Sequence, residues 1–321
     1  MEQIDIHTDF AVDVLSGLSA KQKFLSSKYF YDEKGSKIFQ DIMQMPEYYL
    51  TDCELEIFKN SQQEILDAFS ENNASFDLVE LGAGDGIKTK ILLSHFLSQK
   101  AKFKYSPIDI SEDSVVNLVA ELNHDLPELK VNGLIGDYFD LMKKIIPNGY
   151  TKKIILVLGS NIGNYNEQMS LEFLGKLKDV LYPQDMLFIG FDMKKDPDVI
   201  LKAYNDPHGH TTAFNLNLLQ RINDELNADF NLENFYHKEE YNPQTGTASS
   251  FLISKIEQHI TINEFSTTIQ FTKGERIFME ISQKYDLDII NELALKSGFE
   301  VVRNFFDERL YFTNSLWKLK S

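Results

Sequence analysis

Residues 77–93 read DLVELGAGDGIKTKILL, with Gly82, Gly84 and Gly86 standing between an apolar run and an amphipathic one. Residues without a Cβ let the backbone turn sharply and come close to a bulky ligand. A dinucleotide fingerprint requires G-x-G-x-x-G, and here the third glycine arrives one residue early. A phosphate loop requires G-x-x-x-x-G-K-[ST], and Lys88 stands two residues past Gly86 instead of one. What is left is Glu80 at the end of an apolar run, followed by a tight turn suited to the carboxyl edge of a doubly wound sheet. Taken alone, the loop also reads as an ordinary strand-to-helix turn.

The acids that follow narrow the ligand. Asp109 ends the second apolar run, where a carboxylate can accept two ribose hydroxyl hydrogen bonds. Asp137 ends the third, and the ring of Tyr138 beside it can pack against a base whose amino group the acid accepts. The segment GSNIGN, opening on Gly159, ends the fourth. Helix capping explains one such acid; four consecutive strand ends with small or acidic groups resemble the S-adenosylmethionine site of class I methyltransferases.

These positions need a scaffold, and the pattern supplies one. FDLVELG, KFKYSPIDI, KVNGLIGDY, KKIILVLGS and DMLFIGFD read as strands, alternating with helical patterns such as GIKTKILLSHFLSQK and SEDSVVNLVAELNHDL. Ser111 caps the latter, with acids in its first turn. Repeated strand–helix alternation predicts an α/β fold, a doubly wound parallel sheet with helices on both faces. Residues 193–245 read as polar and helical, residues 247–272 as β, and YDLDIINELALKSGF as a helix closed by Gly298. EVVRNFFDERLYFTNSLWKL reads as a hairpin. TDCE at 51–54 fits a capping box, Thr51 reaching forward and Glu54 back. The domains expected are a helical segment over 1–59, a Rossmann-like cofactor domain over 60–192 plus 280–321, and an inserted α+β lobe over 193–279.

Composition bounds the partners. The 321 residues carry 32 Lys plus Arg against 49 Asp plus Glu, a net charge of −17 that repels phosphate backbones and anionic lipid. A single cysteine, Cys53, excludes an intrachain disulfide and thiolate metal clusters. His208-x-His210 lies in a glycine-containing loop and reads as a solvated turn, with a metal site as the rival. No apolar run reaches membrane-spanning length, and the N-terminus lacks a secretory pattern. The expectation is a cytoplasmic monomer acting on a small molecule, with no nucleic-acid or membrane partner and no metal.

A closer resemblance runs over nearly the whole chain. KYFYDEKGSKIFQDIMQMPEYYLT, VELGAGDGIKTK, LGSNIGN, AYNDPHGHTTAFNLNLLQRINDEL and FTKGERIFMEISQKY occur in that order. Together they resemble the histidine-specific S-adenosylmethionine-dependent methyltransferase family of the ergothioneine pathway. That resemblance implies transfer of up to three methyl groups to the α-amine of L-histidine, giving hercynine. By position it implies that Tyr48 faces the substrate, that Asn164 grips its backbone groups and that Tyr204 donates to its carboxylate. Glu280 and Ser282 would read the imidazole, and Tyr31 and Phe39 would line the region of the methylated nitrogen. On the cofactor side it implies Gly82, Gly84, Lys88, Asp109, Asp137, Tyr138 and Gly159. The residue types fit: Glu280 and Ser282, two apart, share a face on an extended strand, and a carboxylate with a hydroxyl can engage both imidazole nitrogens.

One departure bears on specificity. Family members of the ergothioneine type carry larger residues near Ser249 and Ser250, one of them an apolar wall beside the substrate ring; serine there leaves a wider or wetter pocket. Methylation of another amino acid such as tryptophan or tyrosine is therefore the alternative, ahead of a non-catalytic cofactor-binding regulator or an NAD-dependent oxidoreductase.

Overall fold

The computed structural model describes residues 6–70, 74–145 and 151–320. Along them α1 (Ile6–Ser19), β1 (Lys23–Phe24), α2 (Glu33–Met43) and α3 (Tyr49–Phe69) come first. Strands β2 (Phe76–Leu81), β3 (Phe103–Asp109), β4 (Leu134–Ile135), β5 (Lys152–Val157) and β6 (Met186–Asp192) follow. Between them lie α4 (Ile87–Ser98), α5 (Glu112–Asp125), α6 (Tyr138–Ile145) and α7 (Glu167–Lys178). Helices α8 (Pro197–Tyr204) and α9 (His210–Leu226) lead to β7 (Phe235–Asn242), β8 (Thr247–Ser254), β9 (Gln258–Ile262), β10 (Thr267–Phe271) and β11 (Arg276–Gln283). Last come α10 (Leu287–Ser297), β12 (Phe299–Phe306) and β13 (Phe312–Leu319).

Two compact units emerge: the described residues up to Tyr49 with Lys195–Ser282, and Leu50–Lys194 with the described residues from Gln283 onward. The boundaries expected at 59/60, 192/193 and 279/280 thus fall at 49/50, 194/195 and 282/283. The physical reason at the N-terminus is β1, which pairs in parallel with β11, Lys23 opposite Ile277 and Phe24 opposite Phe278.

In the larger unit seven strands are ordered β12-β13-β6-β5-β2-β3-β4. β2 to β6 are parallel where they pair, and β13 runs antiparallel to both β6 and β12. This is the α/β, doubly wound sheet that the alternation implied. Val79, Ile155, Val157, Leu187 and Ile189 are buried within its core, so the continuous apolar runs follow from helices covering both faces. Trp317, fully buried, stacks on Phe191 with ring centroids 5.6 Å apart.

The third strand is much shorter than expected. Of KVNGLIGDY only Leu134–Ile135 pairs as a strand with β3, with an isolated bridge from Val131 to Tyr105. Gly133 lies so close to α5 that a Cβ would come within 2.6 Å of Val119, and Gly136 takes φ +131, which ends the ladder. Thr51 and Glu54 form no capping box, because α3 already begins at Tyr49 and Glu54 turns fully inward.

The smaller unit holds a four-stranded sheet ordered β1-β11-β8-β7 and the separate hairpin β9–β10. Phe30, Phe214, Leu218, Ile222, Leu252, Ile277 and Met279 fill its core. Residues 235–242, expected as helix, are strand β7. Phe235, His237 and Glu239 alternate inward along it, and two polar groups on the buried face hid the period of two.

Gly298 closes α10 at φ +86 and ψ +23, as its position in the helical pattern implied. A side chain is strained at that φ whatever the space around it, since Cβ crowds the following carbonyl. Gly298→Ala should lower the unfolding free energy by about 1–2 kcal/mol in urea titration while far-UV dichroism stays unchanged.

Candidate active site

The larger unit gathers the expected donor-binding residues around the carboxyl ends of β2, β3 and β5. Gly82, Gly84 and Gly86 take φ of +70, +54 and +63. They differ in why glycine is needed. A Cβ on Gly86 would lie 2.5 Å from Leu118, so that residue permits helix packing, whereas above Gly84 nothing lies within 4 Å. Gly84 is therefore an open cradle for a ligand. Its N–H donates to Asp109 Oδ2 at 3.1 Å, while Ser111 N–H donates to Oδ1 at 3.0 Å. Each oxygen keeps lone-pair capacity for a diol.

Asp137 caps α6, its Oδ1 accepting from the N–H groups of Phe139 at 2.9 Å and Asp140 at 3.1 Å. The Tyr138 ring packs against Phe139 and Phe173, its hydroxyl lies 3.3 Å from that of Tyr165, and burial raises its pKa. Gly159, at φ +67, opens the turn that becomes a 3₁₀ segment, Asn161–Asn164. Asn164 ends that segment half-buried. Lys88, in the first turn of α4, pairs through Nζ with Glu54 Oε2 at 2.5 Å.

Two acids do more here than the sequence disclosed. Glu54 accepts from Gly159 N–H at 3.0 Å as well as from Lys88, so the helical pattern in which it reads as a cap conceals its inward role. Glu80 lies beneath the glycine turn and is 3% exposed. Thr89 donates to its Oε1 at 2.8 Å and Tyr105 to its Oε2 at 2.5 Å. Burial pushes its carboxyl up to about 7, opposed by those two hydrogen bonds.

The expected acceptor residues other than Asn164 belong to the smaller unit and cluster there. Tyr204, at the end of α8, and Ser282, on β11, meet through their hydroxyls at 2.8 Å. Tyr48 lies 6.3 Å from Tyr204 between ring centroids, Phe39 lies 6.2 Å from Tyr48, and Tyr31 lies 5.4 Å from Phe39. Phe214 completes this aromatic wall, 5.6 Å from Tyr31 and 5.8 Å from Phe39. Its helical spacing marked it only as an apolar position of α9. Taken whole, Tyr31 is 46% exposed. Burial first, then the negative charge of Glu280 and the phenols of Tyr48 and Tyr204, raises its pKa well above the usual value. Glu280 thus sits within electrostatic reach of Tyr31.

Ser250 is buried and donates through Oγ to Glu239 Oε2 at 2.5 Å, across the β7–β8 pairing. The serine hydroxyl is therefore committed to a neighbouring acid. His237 Nε2 is 3.8 Å from the same oxygen, and burial pushes the imidazole down to about 4, leaving it neutral at pH 7. His210 opens α9 with its backbone N–H on Asp206 Oδ2 at 2.9 Å, and its ring centroid is 6.1 Å from that of His208.

Residues 10–319 match the profile of the family described as histidine-specific methyltransferase, SAM-dependent. The chain belongs to that family. S-adenosylmethionine is accordingly its cofactor, and the open Gly84 cradle beside the Asp109 carboxylate fits the adenosyl portion. A histidine N-alpha-methyltransferase of Mycolicibacterium smegmatis is 34% identical, covering 88% of this chain and 86% of that protein. One from Mycobacterium tuberculosis is 31% identical, covering 97% and 95%. Among solved structures, magnesium protoporphyrin IX methyltransferase from Synechocystis superposes with a TM-score of 0.45 at 13% identity, covering 92% of this chain and 98% of that one. No helix among the described residues of this family member is long and apolar enough to cross a membrane.

Glu80 makes stability depend on pH in a defined direction. Its folded-state pKa of about 7 lies above the ordinary 4.5, so the folded chain keeps the proton to higher pH than the unfolded chain does. The resulting stabilisation is full below pH 4.5 and is lost as pH rises through about 7. The difference in unfolding free energy between wild type and Glu80→Gln should fall by on the order of 3 kcal/mol across that window. Urea titrations of both proteins at acid and alkaline pH measure it, and a constant difference would contradict the raised pKa.

Proposed function

We propose that this chain transfers methyl groups from S-adenosylmethionine to the α-amine of L-histidine, up to three in succession, to give hercynine. The observation that carries the reading is the Tyr204–Ser282 hydroxyl contact, two residues along β11 from Glu280, with Tyr48, Phe39 and Tyr31 following one another from Tyr204. The two relatives named as histidine N-alpha-methyltransferases support it.

Gly82, Gly84, Lys88, Asp109, Asp137, Tyr138 and Gly159 are the residues that would hold the cofactor. When bound, it would supply a methyl group activated on a sulfonium; the N–C bond would form in line as the C–S bond breaks, S-adenosylhomocysteine would leave, and the methylated ammonium would lose a proton to water before the next transfer. The chain's own task is therefore positioning, with reacting atoms about 3–3.5 Å apart. Glu280 accepts the imidazole N–H and Ser282 engages the other ring nitrogen. Tyr204, hydroxyl to hydroxyl with Ser282, is the residue assigned to the substrate carboxylate, and Tyr48 and Asn164 are those assigned to orient the amine. Tyr31 and Phe39 attract the growing methylammonium by cation–π interaction, about 0.5–2 kcal/mol. An apolar side chain would offer Glu280 and Ser282 nothing to hydrogen-bond, which favours a polar ring over it.

The same reading takes the enzyme as a cytoplasmic monomer acting on a free amino acid. The net charge of −17 supports the absence of a nucleic-acid or membrane partner. Ser249 and Ser250, near which family members of the ergothioneine type carry larger residues, are what favours a different side chain, such as that of tryptophan or tyrosine.

Incubation with S-adenosylmethionine and a panel of amino acids, followed by mass spectrometry, should show mono-, di- and trimethylated histidine. Turnover of another amino acid without histidine would overturn the specificity and leave the reaction class standing. Glu280→Ala should raise the KM for histidine by about 10- to 100-fold, the loss of a charge-assisted hydrogen bond. Calorimetric affinity for S-adenosylhomocysteine should stay within about twofold; equal losses on both ligands would remove Glu280 from the imidazole.

A further inference from the structure

Glu54 is 0% exposed, an expensive place for a carboxylate unless its neighbours compensate it. Three segments far apart in sequence do so. Lys88 Nζ from the first turn of α4 lies 2.5 Å from Oε2. The Gly159 N–H, in the turn after β5, reaches both oxygens at 3.0 and 3.2 Å. Asn314 Nδ2 from β13 donates to Oε1 at 2.8 Å. β6 is shaped around the same group, since a Cβ on Gly190 would fall 2.7 Å from Oε1.

A well-packed apolar side chain would serve α3 equally well, because buried ion pairs add little net stability over apolar packing. The partners instead point to position. We infer that Glu54 is a positioning residue for the methyl donor, holding Lys88 and the Gly159 turn in the geometry that binds it. This inference rests on the proposed assignment of Lys88 and Gly159 to the donor site.

Lys88 carries a point charge on a flexible four-carbon stem, which is poorly directed unless something orients it. Its ammonium has three N–H donors; one directed at Glu54 leaves two for an anionic group of the cofactor, such as its amino-acid carboxylate. Its side chain is 22% exposed, so it is both anchored and accessible. The second anchor fixes the start of the turn at Gly159, whose conformation at φ +67 leads into the segment ending at Asn164. One carboxylate thereby sets the register of two donor-binding elements whose strands lie side by side in the sheet.

The test is calorimetric binding of S-adenosylhomocysteine to the full chain and to Glu54→Gln, Lys88→Met and the double variant, with KM for histidine measured alongside. Glu54→Gln keeps the shape and removes the charge. It should weaken S-adenosylhomocysteine about tenfold or more, as expected for a lost charge-assisted bond, with a smaller rise in histidine KM transmitted through the Gly159 turn to Asn164. The double variant should bind no more weakly than the worse single one, because both changes remove the same oriented ammonium. Wild-type affinity in Glu54→Gln, or strictly additive losses, would overturn the inference while Lys88→Met alone still weakened binding. Undiminished binding by Lys88→Met would instead overturn the assignment of Lys88 to the donor site. Should Glu54→Gln fail to fold, Gly190→Ala crowds Oε1 without removing the acid and carries the same readout. Weakened S-adenosylhomocysteine then supports the inference, and unchanged affinity overturns it.

Discussion

β2 and β5 run parallel side by side, and from them the chain builds the sheet outward in opposite directions, β3 and β4 to one side and β6 to the other. That reversal is the constraint on which the larger unit depends. Where successive connections depart to opposite faces, a crevice is left at the carboxyl ends of the strands, and a ligand fits it without disturbing the hydrogen-bond ladder. Both turns that border it, at Gly82–Gly86 and at Gly159, use positive φ. At Gly84 the reward is open space above the backbone; at Gly86 it is close packing of Leu118 from α5. The same short motif thus leaves open space at one residue and allows close packing two residues on.

The crevice is stiffened by buried and half-buried polar groups. Glu80 receives hydrogen bonds from α4 and β3, and Asp109 ties Gly84 to the start of α5. Lys284 and Asp192, both fully buried, pair at 2.7 Å. Such groups are costly when incompletely satisfied, so each admits few alternative arrangements. In the smaller unit the equivalent role falls to aromatic rings, whose edge-on contacts define a wall with less desolvation cost. The two units therefore present different chemistry: backbone donors and acids in one, phenols and a strand-borne acid–hydroxyl pair in the other.

Much of the larger unit was legible because its signals are local. Continuous apolar runs such as IILVLG mark strands buried on both faces, and glycine spacing marks a turn whatever the distant sequence contains. Legibility failed where a residue's partner lay far away. Glu54 and Gly159 are 105 positions apart, so a pattern confined to TDCE suggested a cap. His237 and Glu239 face inward on β7, and a polar residue on a buried face erases the alternation that would reveal the strand. The residues proposed for the acceptor rest on resemblance, since Glu280 and Ser282 in isolation are two polar residues on a strand.

The sequence by itself determined the sheet class, the glycine turn, the family and the identities of the residues placed in the two clusters, all carried by short-range spacing or by blocks of shared order. Only the tertiary structure decided that β1 joins the sheet of the insertion, that KVNGLIGDY contributes two paired residues, and that Ser250 is bound to Glu239. It also decided that Glu54 faces Lys88 and Gly159. Each of these is a contact between distant segments, chosen by which arrangement buries apolar surface while giving most buried polar groups a partner, and no local pattern encodes that competition.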